Sequence, residues 1–213
     1  MTSRRSTPNV TKHKKLSPEL KKKLKGHTSN PLTSFCYMPN HTNFIGADKE
    51  EKIVLLLRKH PITNLPWIIT AIIMFALPLV FISLSPLNFL PQNILLVMLI
   101  FWYMMGFVYI FEQFLSWFFN VNIITDERIF DVDFYNLVYR EITDASLDHI
   151  EDVTVTVGSV IRTIFGYGDI TIQTAAQIPQ IEFIAIPNPD KVAEVLRELR
   201  VEEEIEKLEG RVR

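Results

Sequence analysis

"GYGDITIQT", residues 166–174, decides how the C-terminal half of this 213-residue chain is read. Gly166 and Gly168 stand two apart, just ahead of an alternating apolar run. A G-x-G beside a helix can cradle a phosphate. It can equally be the punctuation between a helix and a strand. Order separates the two. A dinucleotide or P-loop site needs strand, glycines, then helix, so that the free N–H groups of the helix N-terminus face the anion. Here SVIRTIF (159–165) comes first, with Ser159 as N-cap and Val160, Ile161 and Ile164 on one helical face, and the strand comes second. The helix offers its C-terminus, the wrong end of the dipole for an anion. Neither a third glycine nor a Gly-Lys-Ser/Thr follows. Gly166 therefore reads as the left-handed residue ending a helix, and Gly168 as conformational freedom for entering a strand.

Working outward, the same period-2 pattern recurs. VNIIT (121–125), RIFDVDF (128–134), VYREI (138–142), HIEDVTVTV (149–157), DITIQT (169–174) and IEFIAI (181–186) read as strands, with TDE, FYN and AAQIPQ as turns. NPDKVAEVLRELRVEEEIEKLEG closes the chain as a helix capped by Asn188, with Pro189 and Asp190 in its first turn and Gly210 as its stop. Val192, Val195, Leu196 and Leu199 make one apolar stripe, so the first three turns should pack and the glutamate-rich remainder should project. Six strands, an inserted short helix and a terminal helix predict a bent antiparallel sheet or small barrel closed at one end by that helix.

Upstream the composition changes abruptly. Residues 60–111 hold no Lys, Arg, Asp or Glu; residues 1–59 hold 13 basic against four acidic residues, and residues 112–213 nine basic against 20 acidic. The near-neutral total of −2 hides this segregation. LPWIITAIIMFALPLVFISL (65–84) and a second apolar run over 94–117 are each long enough to cross a hydrocarbon core of about 30 Å. The short charge-free link between them, 85–93, forces an antiparallel hairpin. Lys52, Arg58 and Lys59 flank the first run and the link has no Lys or Arg, which puts both termini in the cytoplasm of a multi-pass inner-membrane protein. Trp67 and Trp117 fall at the cytoplasmic ends of the spans.

The tail, 1–47, is basic, polar and without core periodicity, and is expected to be largely disordered. Its exception is LSPELKKKLK (16–25), a capped amphipathic turn with Leu16, Leu20 and Leu24 on one face. Lys14, Lys15, Lys21, Lys22, Lys23 and Lys25 could there contact anionic lipid. DKEEKIVLLLRKH (48–60) reads as an amphipathic helix leading into the first span. The expected domains are thus the tail, a 48–117 lead-in and hairpin, a 118–200 cytoplasmic domain, and a projecting acidic end at 201–213.

Catalytic chemistry does not assemble. The histidines are scattered: three in the tail, His60 beside the first span and His149 before a strand. Asp131, Asp133, Asp144, Asp148, Glu151 and Asp152 lack the spacing of a cation loop. The single cysteine, Cys36, excludes an internal disulfide and a zinc site on Cys pairs. No cofactor, metal or nucleic-acid partner is expected. Glu112 is the one ionisable residue close to the apolar runs. A proton or ion relay through it competes with simple hydration near the interface.

IITDERIF (123–130), ASLDHIEDVTV (145–155) and SVIRTIFGYGDITIQTA (159–175) resemble the bacterial pleckstrin-homology-like domain of the YdbS/YdbT type. Thr125, Arg128, Ile129, Ile150, Gly166, Gly168, Ile170 and Ile172 occupy that family's landmark positions, and a preceding pair of membrane helices is similar too. Asn122 replaces an aromatic often found there, and Tyr135–Asn136 a turn glycine. The resemblance implies the fold. The first hairpin, T-D-E-R, carries two acids beside its one Arg, which argues against a phosphoinositide site of the eukaryotic kind. A membrane-anchored, non-enzymatic module binding a partner protein or itself is the leading expectation. Sensing of anionic lipid by the tail, and a transport or enzymatic role centred on Glu112, are the alternatives.

Overall fold

The computed structural model describes Leu24 and residues 33–38, 51–84, 91–134, 139–175 and 179–208. Among these residues, eight strands form two antiparallel sheets. The first has five strands in chain order, β1 (Phe35–Tyr37), β2 (Ile53–Arg58), β3 (Val121–Thr125), β4 (Arg128–Phe134) and β5 (Arg140–Ser146). The second has three, β6 (Ile150–Thr156), β7 (Tyr167–Thr174) and β8 (Gln180–Pro187). Between β2 and β3 the chain leaves the sheet as two long helices, α1 (Leu65–Leu84) and α2 (Gln92–Phe119), each long and apolar enough to cross a membrane. The short α3 (Val160–Phe165) joins β6 to β7, and α4 (Pro189–Leu208) ends the described chain.

The segment read above as an amphipathic lead-in helix is a strand. Val54, Leu55, Leu56 and Leu57 are all buried in β2, so both faces of the strand are covered. A continuous apolar run has no period of two or 3.6 to betray its type, and β2 takes the strand form because β1 and β3 pair with it on either side. The domain therefore starts before the hairpin rather than at residue 118. The same finding shortens the tail: Phe35–Tyr37 is a strand, and Leu24 is helical and fully buried in the core. Lys14, Lys15, Lys21, Lys22, Lys23, Lys25 and the proposed turn at Tyr135–Asn136 lie outside the described residues.

One core fills the space between the sheets. Leu55, Leu57, Ile124 and Ile129 enter it from the first sheet, and Val153, Ile170, Ile172 and Phe183 from the second. Val192, Val195, Leu196 and Leu199 of α4 close it, as their spacing predicts. Each such side chain contributes about 1.5–3 kcal/mol by leaving water. Beyond Leu199 the stripe runs out: Val201, Ile205 and Leu208 are exposed.

The two glycines of GYGDITIQT do different jobs. Gly166 ends α3 at φ 66°, the left-handed cap expected of it, with its N–H bonded back to the helix. Gly168 is not there for backbone freedom. An added Cβ would lie 2.9 Å from the Thr156 carbonyl oxygen, 3.0 Å from Val157 and 3.1 Å from the Pro189 ring. Close packing of β6, β7 and the start of α4 requires its missing side chain. Gly166→Ala should thus cost about 1–2 kcal/mol through its backbone, and Gly168→Ala about 1–3 kcal/mol through overpacking. Asparagine tells the two apart in urea unfolding of the detergent-solubilised chain: it should be tolerated at 166, where its side chain suits the left-handed conformation, and be worse than alanine at 168.

Candidate functional site

The residues that deserve a functional reading gather at the junction where the two long helices meet the sheets. Arg58, the last residue of β2, pairs across the sheet with Val121, the first of β3. All of α1 and α2 is inserted between these two neighbours. Helix α2 ends with carbonyls that no further turn can satisfy. Arg58 Nε donates to the Phe118 carbonyl at 3.1 Å, with its guanidinium 4.7 Å above the Phe118 ring. A cation at a helix C-terminus also meets the negative end of the dipole. Asn120 Nδ2 donates to the Ser116 and Phe134 carbonyls, while its Oδ1 accepts from the Phe134 N–H at 3.0 Å. Trp117 Nε1 donates to the Lys59 carbonyl at 2.9 Å and Trp67 Nε1 to Asn64 Oδ1 at 3.0 Å, so both indoles sit at this end of the hairpin.

The second sheet reaches the same junction through His60. Its N–H donates to the Ala185 carbonyl at 2.7 Å, and its ring stacks on Tyr167 with centroids 5.2 Å apart. Burial lowers the pKa of the imidazole, and the neutral Nδ1 accepts from the Ile62 N–H at 3.3 Å. Arg162 of α3 also approaches Tyr167, 5.8 Å from the ring centroid, and is ion-paired to Asp169. Asp169 Oδ1 also accepts from the N–H of Ala185 at 2.7 Å, a residue held at φ 53°. GYGDITIQT is thus a hub: it caps α3, grips Arg162, and fixes the irregular stretch of β8 that receives His60.

The landmarks Thr125 and Arg128 lie at the opposite end of the first sheet. Thr125 Oγ1 accepts from the Arg128 N–H at 2.8 Å and donates within reach of Glu51 Oε1 at 2.6 Å. Arg128 binds Glu51 Oε2 at 3.0 Å, and the Glu51 carboxylate is fully buried. The Lys52 N–H donates to Asp126 at 2.9 Å. These residues lock the β3–β4 turn onto the start of β2. Arg128 is engaged structurally, by its ion pair with Glu51. Glu51, the buried partner, was invisible in the sequence because it lies 77 residues from Arg128.

Other candidates stay apart. Glu112 is half-buried on α2, and no salt bridge among the described residues includes it. His149 lies in a short 3-10 turn, 4.0 Å from Asp148 and half-exposed. Among the described residues no three His, Cys, Asp or Glu side chains come together as a metal-binding group. Asp131 is the carboxylate most disturbed by its setting. Burial, with help from Asp133 and Glu141 and against the pull of Lys59, pushes its pKa up to about 7.

The architecture is two antiparallel sheets closed by α4, with an apolar hairpin inserted between β2 and β3 of the first. Residues 61–200 match the bacterial PH domain family. The chain belongs to that family. The matched region takes in both long helices and stops short of β1 and β2, so this bacterial PH domain completes its first sheet with two strands from outside the matched residues. No curated protein and no solved structure matches the chain. PH-like domains are in general binding modules rather than enzymes, and what a given one binds must be argued from its own surface.

Two outcomes follow from the junction. Asn120→Leu leaves the Phe134 N–H and carbonyl without their partner and should cost about 1–3 kcal/mol of stability, read as a lowered midpoint in urea unfolding of the solubilised chain. Asp131 binds its proton more tightly folded than unfolded. Its contribution to stability is therefore complete below its ordinary pKa of 3.8 and is lost as pH rises through about 7. Asp131→Asn should raise the melting temperature at pH 8, and the gain should shrink toward pH 4. A gain independent of pH would contradict this account.

Proposed function

We propose that α1 and α2 span a bilayer and hold the bacterial PH domain against one leaflet as a non-enzymatic interaction module. The observation that carries this reading is the Arg58–Val121 pair. Adjacent strands lie about 4.8 Å apart, so both ends of the hairpin leave from one place on one side, and β1, β2 and the rest of the domain share that side. Lys52, Arg58 and Lys59 flank the first helix, and the link over 85–93 has no Lys or Arg, which supports the cytoplasm as the shared side. Helix surfaces rich in exposed Ile, Leu, Phe and Met, such as those of α1 and α2, suit lipid better than water.

Two surfaces suit a protein partner or a second copy of the chain. One is the end of α4, where Val201, Ile205 and Leu208 stand exposed at helical spacing among Glu202, Glu203 and Glu204. The other is the outer edge of β5, a strand with one neighbour among the described residues and an exposed Ile142. The acidic helix favours a basic partner groove. The lipid-sensing alternative loses ground with Leu24: this member of the Leu16, Leu20, Leu24 face is buried in the core rather than available to a membrane.

Cys36 is buried and can be replaced by alanine to give a cysteine-free background. In intact cells, an impermeant maleimide should label Gln92→Cys from outside and Glu203→Cys only after permeabilisation. Equal labelling of both without permeabilisation would overturn the topology. Photo-crosslinkers at Leu208 and at Ile142 should then give a discrete adduct from at least one site, and none from either would remove the interaction reading while leaving the topology standing.

A further inference from the structure

Helix α3 leaves its apolar residues exposed among the described residues. Val160 is 76% exposed, Ile161 57%, Ile164 72% and Phe165 52%, and Val157 beside them is 40% exposed. A soluble domain gains about 1.5–3 kcal/mol by burying each such side chain, and a contiguous cluster left outside marks a contact surface. The segment 157–166 also contains no Asp or Glu, within a region, 112–213, that has 20 of them. Its one charge, Arg162, is turned back onto Asp169 and away from the cluster's role as an apolar surface.

The position of α3 says what covers it. Gly166 and Tyr167 follow it directly, Tyr167 stacks on His60, and Pro61 opens the longer stretch, Pro61–Ser83, that qualifies as the first span. Tyr167 thus contacts both Arg162 of α3 and His60 at the root of that span. Asn188, at the start of α4, donates its N–H to the Gly166 carbonyl at 2.8 Å, so the loop is held from the other side as well. The α3 segment is therefore tied to the root of the hairpin and to the start of α4.

We propose that α3 is a membrane-docking element whose Val160, Ile161, Ile164 and Phe165 insert into the headgroup–acyl boundary of the leaflet that the hairpin crosses. This rests on the spanning reading of α1 and α2. It makes a third contact with the membrane, on the second sheet, where the hairpin roots only the first. Short apolar helices of this kind bury their side chains about 5–10 Å into the boundary. The acid-free composition of the loop fits the same occupant, because an anionic surface repels carboxylates.

The test uses the full chain in vesicles of phosphatidylcholine and phosphatidylglycerol, in the Cys36→Ala background, with an environment-sensitive fluorophore on one introduced cysteine. The label at Ile164→Cys should be quenched by lipids bearing a shallow nitroxide and shielded several-fold from aqueous iodide, compared with a label at Ile205→Cys on the distal part of α4. A label at Val97→Cys in α2 monitors the spanning reading separately. If Val97→Cys is quenched by lipid while Ile164→Cys responds only to iodide, the docking proposal fails and the hairpin stands. If neither is quenched by lipid, the spanning reading fails first. Shielding of Ile164→Cys that disappears on dilution of protein into excess lipid means that a second copy covers α3, and overturns the proposal too. Ile161→Glu with a label at Phe165→Cys should abolish lipid quenching with a nearly unchanged melting temperature, since Ile161 is 57% exposed.

Discussion

The pairing of Arg58 with Val121 is the constraint on which everything else in this molecule depends. Two strands can be neighbours only if the chain between them returns to within a strand spacing, about 4.8 Å. The chain between them here is a helical hairpin, and helix axes pack about 8–10 Å apart. The difference is absorbed on one side by Lys59, His60 and the 3-10 turn Pro61–Asn64, and on the other by Asn120 alone. That asymmetry explains the crowding of hydrogen bonds at the junction. The α2 side has a single residue in which to turn from helix to strand, so Asn120 must satisfy Ser116 and Phe134 together, and Arg58 must serve the Phe118 carbonyl.

The same root gives the domain a direction. Arg58, Phe134 and Arg140 mark the end of the first sheet nearest the helices, and Tyr167 and Pro187 the corresponding end of the second. Helix α4 starts at that end, beside Gly168, and runs away from it, donating from Arg197 to the Val153 carbonyl and from Arg200 to the Glu151 carbonyl. A 20-residue helix rises about 30 Å. Its glutamates therefore lie far from the hairpin, together with Asp126, Glu127 and Asp148 of the distal turns. Among the acidic residues near the root, Asp169 is paired with Arg162, and Asp131, beside Asp133 and Glu141, has a pKa raised to about 7. Charge along the domain is graded, with the apolar, acid-free α3 at one pole and the glutamate run at the other.

Much of this was legible in the sequence because its signals are local. The bounds of β3, β4 and α1 agree with the periodic segments and caps that announce them, and Gly166 ends α3 as its place after SVIRTIF requires. What stayed hidden depends on partners distant in the chain. Residues IVLLL of β2 are apolar at every position because the strand is buried on both faces, and only its neighbours show that it is a strand. Glu51 looks like one more surface acid in DKEEK until Arg128 and Thr125 close over it. Gly168 illustrates a subtler limit. Its presence is readable, but the reason for it, contact with Thr156 and Pro189, belongs to packing rather than to backbone conformation.

The insertion also orders the events of folding. Closing β2 onto β3 without structure between them would mean closing a loop of roughly 60 residues, whose entropic cost grows as (3/2)RT ln n. A hairpin already formed shortens that search, because α1 and α2 bring Lys59 and Asn120 near one another before any strand pairs. In a bilayer the helices form first of necessity, since unpaired backbone groups cannot be left in hydrocarbon. The hairpin thus acts as the template for the central strand pair, with Trp102 donating to the Met74 carbonyl and Gly106 allowing Phe75 close to α2 to set its geometry. On the other side of β3 the connections are local: β4 follows through the turn at Asp126 and Glu127, and β5 pairs in turn with β4. The element that interrupts the sheet thereby lowers the entropic cost of closing it.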